Sequence, residues 1–167
     1  MRIIGFILKT VLVLVALAAG SLAAIWFFNP FAPEIAMGDP LPTGRRVTDD
    51  GIVANYFPGT GTGKRPGILF LGGSEGGLSS GVTRMAKDLQ SRGYSVLHVS
   101  YFGAPGQPPI LSLIPLETFD RALAWLKAQP DVDPARIAVV GGSKGAEAAL
   151  IVAARHPELR AVVAGMP

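Results

Sequence analysis

The chain has 167 residues, no cysteine, two histidines and a formal net charge of +3. Without cysteine there is no disulfide framework or thiolate metal site, and two histidines make a multi-histidine metal centre improbable; nothing in the sequence implies an organic cofactor. Setting aside Arg2 and Lys9, which precede an apolar run, leaves 13 basic residues against 12 acidic ones, a near-neutral body that gives no case for nucleic-acid binding.

Residues 10–28 carry no charge. As a helix this stretch would extend roughly 28 Å, close to the hydrocarbon thickness of a bilayer. The small residues Ala18-Ala19-Gly20-Ser21 and Ala23-Ala24 also suit a cleaved signal peptide, which would release a secreted or periplasmic domain. The apolar run continues beyond them through Ile25-Trp26-Phe27-Phe28, and Trp26 suits a membrane interface, so an uncleaved single-pass anchor is the favoured reading. So long and uniformly apolar a stretch does not suit a third reading, a buried core helix. Arg2 and Lys9 would keep the N-terminus cytoplasmic and place the remainder of the chain on the non-cytoplasmic side. Residues 29–46, with prolines at 30, 33, 40 and 42, read as an extended linker. Residues 47–167 are then one globular domain, long enough to bury a core.

Within that domain, residues 52–57 form a short strand ending at Pro58-Gly59, and Gly67-Ile-Leu-Phe-Leu71 is an apolar run suited to a strand buried on both faces. Ser79 or Ser80 caps a helix in which Val82, Met85, Ala86 and Leu89 share one face, and Gly93 ends it. Residues 94–99 are the next strand. Leu116, Phe119, Leu123 and Leu126 repeat at helical spacing, with Glu117 and Arg121 as an exposed i,i+4 pair. Residues 131–134 turn the chain into a strand at 136–140, a helix follows at 146–154, and His156-Pro157 stops it. Residues 160–164 form a last strand. Strands alternating with helices predict an α/β fold with a doubly wound, mostly parallel sheet.

Gly141-Gly142-Ser143-Lys144-Gly145 lies between the apolar strand Ile137-Ala-Val-Val140 and the helix. Strand, Gly-x-Ser-x-Gly and helix in that order are a nucleophile elbow, in which Gly141 and Gly145 permit a turn that lifts the Ser143 hydroxyl clear of the sheet. The plainer alternative is a tight turn whose glycines serve only close packing. In the elbow reading Ser143 is the nucleophile and the Lys144 backbone N–H the first oxyanion donor. A second donor comes from the loop after an earlier strand, here Gly72-Gly73-Ser74-Glu75-Gly76-Gly77, with the Ser74 N–H first and that of Glu75 next. No Gly-Lys-Ser/Thr follows that run, which sets aside a phosphate loop.

A serine hydroxyl needs a general base and a carboxylate to orient it. His156 lies 13 positions beyond Ser143, at the far end of the same helix, roughly 20 Å away. Its reading is a cation at a helix C-terminus. His98 sits inside a strand and reads as a packed, hydrogen-bonded core histidine. Neither completes a triad. Lys144 is disfavoured by the dipole of a first helical turn, and Glu147 is placed to pair with it at i,i+3.

Ser143-Lys-Gly-Ala-Glu147 after Ile137-Ala-Val-Val-Gly141, with Tyr101-Phe102-Gly103, Ile114-Pro-Leu-Glu117, Ala124-Trp125-Leu126 and the 72–77 glycine run upstream, resembles the C-terminal domain of acyl-CoA thioesterases and bile acid-CoA:amino acid N-acyltransferases. The resemblance spans about residues 47–167, and dienelactone-hydrolase-like and peptidase-like relatives share the elbow. It implies an α/β-hydrolase domain in which Ser143 accepts an acyl group from a small-molecule ester or thioester and passes it to water or an amine. The family's aspartate and histidine lie beyond the point where this chain stops, and the apolar segment stands where the family has a separate N-terminal β-domain. The expectation is therefore a membrane-anchored, truncated α/β-hydrolase with little turnover by these residues alone. A domain facing away from the cytoplasmic coenzyme A pool would favour another ester or thioester over an acyl-CoA. The alternative is a non-catalytic, membrane-tethered binding or interaction module that reuses the fold. Nothing in the sequence sets the oligomeric state.

Overall fold

The computed structural model describes residues 2–28 (side chains from Gly5 to Phe27), 35–40 and 42–167. Residues 29–34 and 41 of the expected linker lie outside the described residues. The chain divides into two units, one of which holds a single helix, α1 (Arg2–Phe28). Within α1 the exposed stretch Gly5–Phe27 is long and apolar enough to cross a membrane.

The second unit, Ile35–Pro167, carries β1 (Arg45–Val47), β2 (Val53–Phe57), β3 (Arg65–Leu71), α2 (Ser80–Ser91), β4 (Ser95–Ser100), α3 (Glu117–Lys127), β5 (Val132–Gly142), α4 (Lys144–Arg155) and β6 (Ala161–Gly165). Its strands form one sheet in the order β1-β2-β4-β3-β5-β6, in which β4, β3, β5 and β6 run parallel and β1 and β2 are antiparallel additions at one edge. Alternation along the strands divides the core. Leu69, Leu71, Leu97, Val99 and Val139 pack with Phe119, Ala122 and Leu123 of α3 and with Ala149 and Val152 of α4. Ile68, Phe70 and Val96 point to the other face and pack with Ala86, Val82 and Leu89 of α2. Helices cover both faces, as a doubly wound sheet requires.

Four details differ from the expectation, each through a polar contact that hydrophobic patterning does not register. Part of the stretch read as linker joins the domain: Met37 bridges Leu78, and the Gly38 N–H donates to the Leu78 carbonyl at 2.6 Å. Arg46 and Asn55 both donate to the Gly38 carbonyl, at 2.9 and 2.8 Å, and β1 begins at Arg45. The inward stripe of α2 is Thr83, Ala86 and Gln90, while Met85 is 56% exposed. Gln90 can be buried because its amide donates to the Thr43 and Pro58 carbonyls. The turn expected at 131–134 is an irregularity inside β5. Asp133 pairs with Pro66 but Ile137 pairs with Gly67, and the exposed residues 134–136 between them bulge out as the Asp133 carboxylate accepts from the Ala135 N–H and Arg136 Nε. Lastly, Glu117 and Arg121 form no ion pair among the described residues; Arg121 reaches Thr118, and Asp120 takes Arg155 and His156 instead.

At the amino ends of the parallel strands Asp131 gathers three donors: Tyr56 Oη at 2.7 Å, Ser95 Oγ at 2.6 Å and the Gly59 N–H at 3.0 Å. Burial opposes its charge, but these bonds outweigh burial and hold its pKa below the usual carboxylate value.

His98 is buried in β4, as expected of a core histidine, with Nδ1 3.2 Å from Thr83 Oγ1. Thr83 Oγ1 also accepts from Asn55 Nδ2 at 3.3 Å, so the three side chains form one buried polar cluster. Burial, helped by the nearby Arg46 charge, lowers the His98 pKa to about 3. The folded state therefore refuses a proton that the unfolded chain binds below pH of about 6.5, and stability is lost as pH falls from there towards 3. Urea unfolding between pH 6.5 and 5 should show His98→Gln losing stability less steeply than the unaltered chain, by up to about 1.4 kcal/mol per pH unit.

Candidate active site

The chain leaves β5 at Gly142 and enters α4 at Lys144, so Ser143 alone makes the turn. It does so at φ +53° and ψ −125°, a combination outside the left-handed helical well that costs a non-glycine residue about 1–3 kcal/mol. Its neighbours enforce this geometry. A Cβ on Gly141 would overlap the Gly145 carbonyl, and one on Gly145 would overlap the Leu71 and Gly72 carbonyls. With bare glycines there, α4 starts directly against the end of β3. The Ser143 N–H donates to the Gly165 carbonyl at 2.9 Å, and its own carbonyl accepts from the Ala146 N–H at 2.8 Å, which ties the turn to β6 and to the first turn of α4. The residue itself remains exposed. The backbone makes the tight strand–turn–helix connection that the sequence predicts, and Gly141 and Gly145 permit it by the absence of a single carbon each.

The topology then supplies the cleft. From β3 the chain passes to α2 on one face, and from β5 to α4 on the other, so a crevice opens between the carboxyl ends of the two adjacent strands. The glycine loop after β3 and the elbow after β5 meet there. A cleft of about 440 Å³ is lined by Ser143, Gly72, Gly73 and Glu75, with Phe70, Val82, Met85, Val140 and Val163 as apolar walls. A second cleft of about 300 Å³ holds Lys144, Glu147, Tyr101, Leu111, Ile114 and Phe119.

Gly73 is the loop residue against Ser143; a Cβ there would lie 3.2 Å from that of the serine. Ser74 and Glu75 occupy the exposed turn that follows. Glu75 folds its carboxylate back over Gly72 and Gly73, where Ser79 Oγ approaches it at 3.4 Å, so a side chain singled out only for its amide also brings a carboxylate to the cleft. Lys144 opens α4, and as the first helical residue its N–H has no acceptor within the helix. Its ammonium pairs with Glu147 at 2.6 Å, the i,i+3 contact expected; both side chains are half exposed, so the pair adds about 0.5 kcal/mol and mainly offsets a cation at a helix N-terminus.

Neither histidine bonds Ser143 among the described residues. His156 caps the far end of α4, with Nε2 2.8 Å from Asp120 Oδ1 and Nδ1 3.4 Å from Glu158 Oε1. The hydrogen bond from Arg155 is the largest influence on Asp120 and, with that of His156 and against the opposing effect of burial, holds its pKa low. Lys127 above all pulls Glu158 down to about 2.

Tyr101 is a side chain at the cleft to which sequence reasoning gave no role. Its hydroxyl donates to the Gly72 carbonyl at 2.7 Å and lies 3.3 Å from that of Gly73, while its ring packs on Phe102 and Phe119. Burial, then the charges of Glu75 and Glu147, push its pKa up, so it stays a neutral donor. The Tyr-Phe-Gly triplet marked the position, but the bond spans 29 residues of sequence and has no local signature.

Fold, elbow and cleft together define an α/β-hydrolase domain. Residues 114–165 match the family model described as BAAT / Acyl-CoA thioester hydrolase C terminal. An uncharacterized protein of Mycobacterium tuberculosis is 36% identical over 163 residues, covering 90% of this chain and 58% of that protein. Acyl-coenzyme A thioesterase 6 of Mus musculus is 38% identical over 108 residues, covering 65% of this chain and 25% of that enzyme. In fold, a crystal structure of a putative dienelactone hydrolase from Klebsiella pneumoniae superposes with a TM-score of 0.60 at 18% identity, over 72% of this chain and 57% of that one. Through residues 114–165 the chain is similar to the BAAT / acyl-CoA thioester hydrolase C-terminal family, and it spans from a quarter to somewhat over half the length of these curated relatives. The mycobacterial match covers more of the chain than Ile35–Pro167 can supply, so it runs into the N-terminal segment.

Tyr101→Phe should leave the fold intact and loosen the glycine loop. Hydrogen exchange of a peptide covering residues 70–78 is expected to run about three- to tenfold faster, the equivalent of one lost hydrogen bond.

Proposed function

We propose that this domain transfers acyl groups from small-molecule esters or thioesters through Ser143. The observation that carries the reading is the strained backbone of Ser143, held between two glycines that tolerate no Cβ, with the hydroxyl on a largely apolar cleft. Ser143 Oγ attacks the substrate carbonyl and yields its proton to a general base. The resulting oxyanion is met by the Lys144 N–H and by an amide of the glycine loop, that of Ser74 or Glu75. Collapse expels the alcohol or thiol, which takes the proton from the base, and leaves an acyl-serine. Water or an amine then attacks the acyl-serine and restores the hydroxyl. Apolar walls suit the acyl portion of such a substrate. His98 is buried and His156 is clasped by Asp120 at the far end of α4, so the base and its orienting carboxylate are assigned to residues outside positions 1–167.

On this reading a longer protein containing the chain labels with a fluorophosphonate probe, and Ser143→Ala abolishes labelling and lowers turnover by about 10⁴-fold or more. Residues 1–167 alone should label weakly. Vigorous labelling of residues 1–167, lost in Ser143→Ala, would reveal a base within the domain. No labelling of the longer protein would favour a tethered, non-catalytic module.

The uncharged run 10–28 of α1 is assigned as an uncleaved membrane anchor, with Arg2 and Lys9 before it on the cytoplasmic side and the domain on the other. Supporting this are its length, its exposed apolar surface and a relative whose match runs into the same segment. After alkaline extraction the chain should stay with the membrane fraction, and its mass should show an intact N-terminus. Recovery in the soluble fraction with the first twenty or so residues missing would establish a cleaved signal instead.

A further inference from the structure

The loop between β4 and α3 presents an unusual surface. Residues 102–116 contain no charged side chain, yet residues 109–113 are all exposed. Ile110 is 66% exposed and Leu113 is 94% exposed. The loop is built rather than frayed. At its base Gln107 exchanges two side-chain bonds with Ser100, at 2.6 and 2.7 Å, and the Gly103 N–H donates to the Pro108 carbonyl at 2.8 Å. At its tip the Ser112 N–H closes on the Ile110 carbonyl at 2.8 Å, and Leu113 adopts φ +54°, a conformation disfavoured for leucine. Isolated apolar side chains on a surface are ordinary, but a group of them on a pinned loop without charge marks a place where something apolar is met.

The chain itself indicates what that is. It carries a helix of 23 residues long and apolar enough to span a bilayer. Residues 29–34 link Phe28 to Ile35, and that many peptide units reach at most about 25 Å. The side chain of Ile35 lies against Gly103 and Gly77, so closely that a Cβ on Gly77 would overlap it and one on Gly103 would be in tight contact with it. The tether therefore enters the domain at the root of this loop, at the carboxyl end of the sheet, where Ser143 also lies. On the inner side of the loop, Leu111 and Ile114 line the cleft that holds Lys144. We infer that residues 109–113 dip into the surface of a lipid bilayer, with Ile110 and Leu113 as the inserted side chains. Charge-free composition suits this, because a carboxylate or ammonium on the loop would have to be desolvated. Two side chains hold a membrane only weakly by themselves, and the tether makes up the difference by keeping the loop at high effective concentration beside the bilayer. Combined with the acyl transfer proposed for Ser143, this makes the favoured substrate a membrane-dissolved acyl ester that enters from the lipid side; the insertion itself does not depend on that chemistry.

Because the chain lacks cysteine, Leu113→Cys in the full chain takes a single environment-sensitive fluorophore, with Ile110→Cys as a second position. Thr62→Cys, in the exposed turn leading into β3 at the opposite end of the sheet, serves as control. In phosphatidylcholine vesicles, a quencher carried on the upper acyl chain should quench positions 113 and 110 several-fold more than position 62, and aqueous iodide should show the reverse order. Equal quenching at all three positions would overturn the inference. Shielding that instead grows with protein concentration in detergent micelles, without lipid, would assign the loop to a second copy of the chain and overturn it too. A chain that fails to float with the vesicles removes the tether, and the proposal with it. None of these readouts requires Ser143 to react, so failure here is separable from failure of the acyl-transfer reading.

Discussion

One missing carbon atom at residue 145 governs the geometry around it. The space that a Cβ would need there belongs to the Leu71 and Gly72 carbonyls, so a bare glycine is the only residue that lets α4 begin flush with the end of β3. From that contact follow the sharpness of the turn, the positive φ of Ser143 and the position of its hydroxyl over the crevice. The strain at Ser143, about 1–3 kcal/mol, is small beside what holds it in place. Ala146, Ala149 and Val152 are buried against the sheet, and a buried valine alone contributes about 2 kcal/mol. A helix fastened that firmly does not relax to relieve one residue.

The opposite wall of the crevice is maintained differently. The glycine run after β3 has little side-chain packing of its own, and the Tyr101 hydroxyl bond to the Gly72 carbonyl gives it a fixed position. Tyr101 is in turn seated by Phe102 and Phe119, so the loop that would supply amides to an oxyanion is braced from β4 and α3. The same Tyr-Phe-Gly segment launches the charge-free loop and receives Ile35. The cleft at Ser143, the point where Ile35 enters the domain and the uncharged loop thus share one end of the sheet.

Much of this is legible in the sequence alone. The strand and helix order, the elbow with Ser143, Gly141 and Gly145, the Lys144–Glu147 pair, the buried His98 and the helix-end His156 all depend on local rules: alternation, helical spacing, glycine's freedom and the reach of one turn. The departures have a common cause as well. Thr83 and Gln90 face inward while Met85 faces the cleft because buried polar partners, not hydrophobicity, set the rotation of α2. Part of the Pro-rich stretch joins the sheet because Arg46 and Asn55 converge on one carbonyl, that of Gly38. Asp120 bonds Arg155 and His156, 35 and 36 residues away, in preference to anything on its own helix.

The sequence by itself determined which residue makes the turn, which glycines allow it and that a long apolar helix precedes the domain, because each is a property of a few consecutive residues. Only the tertiary structure decided that the glycine loop and the elbow close on one cleft, that Tyr101 holds that loop and that Ile35 and the uncharged loop meet at Gly103. Those are contacts between segments tens of residues apart. Strand order and hydrogen bonding bring such segments together, and no local pattern records which pairs will meet.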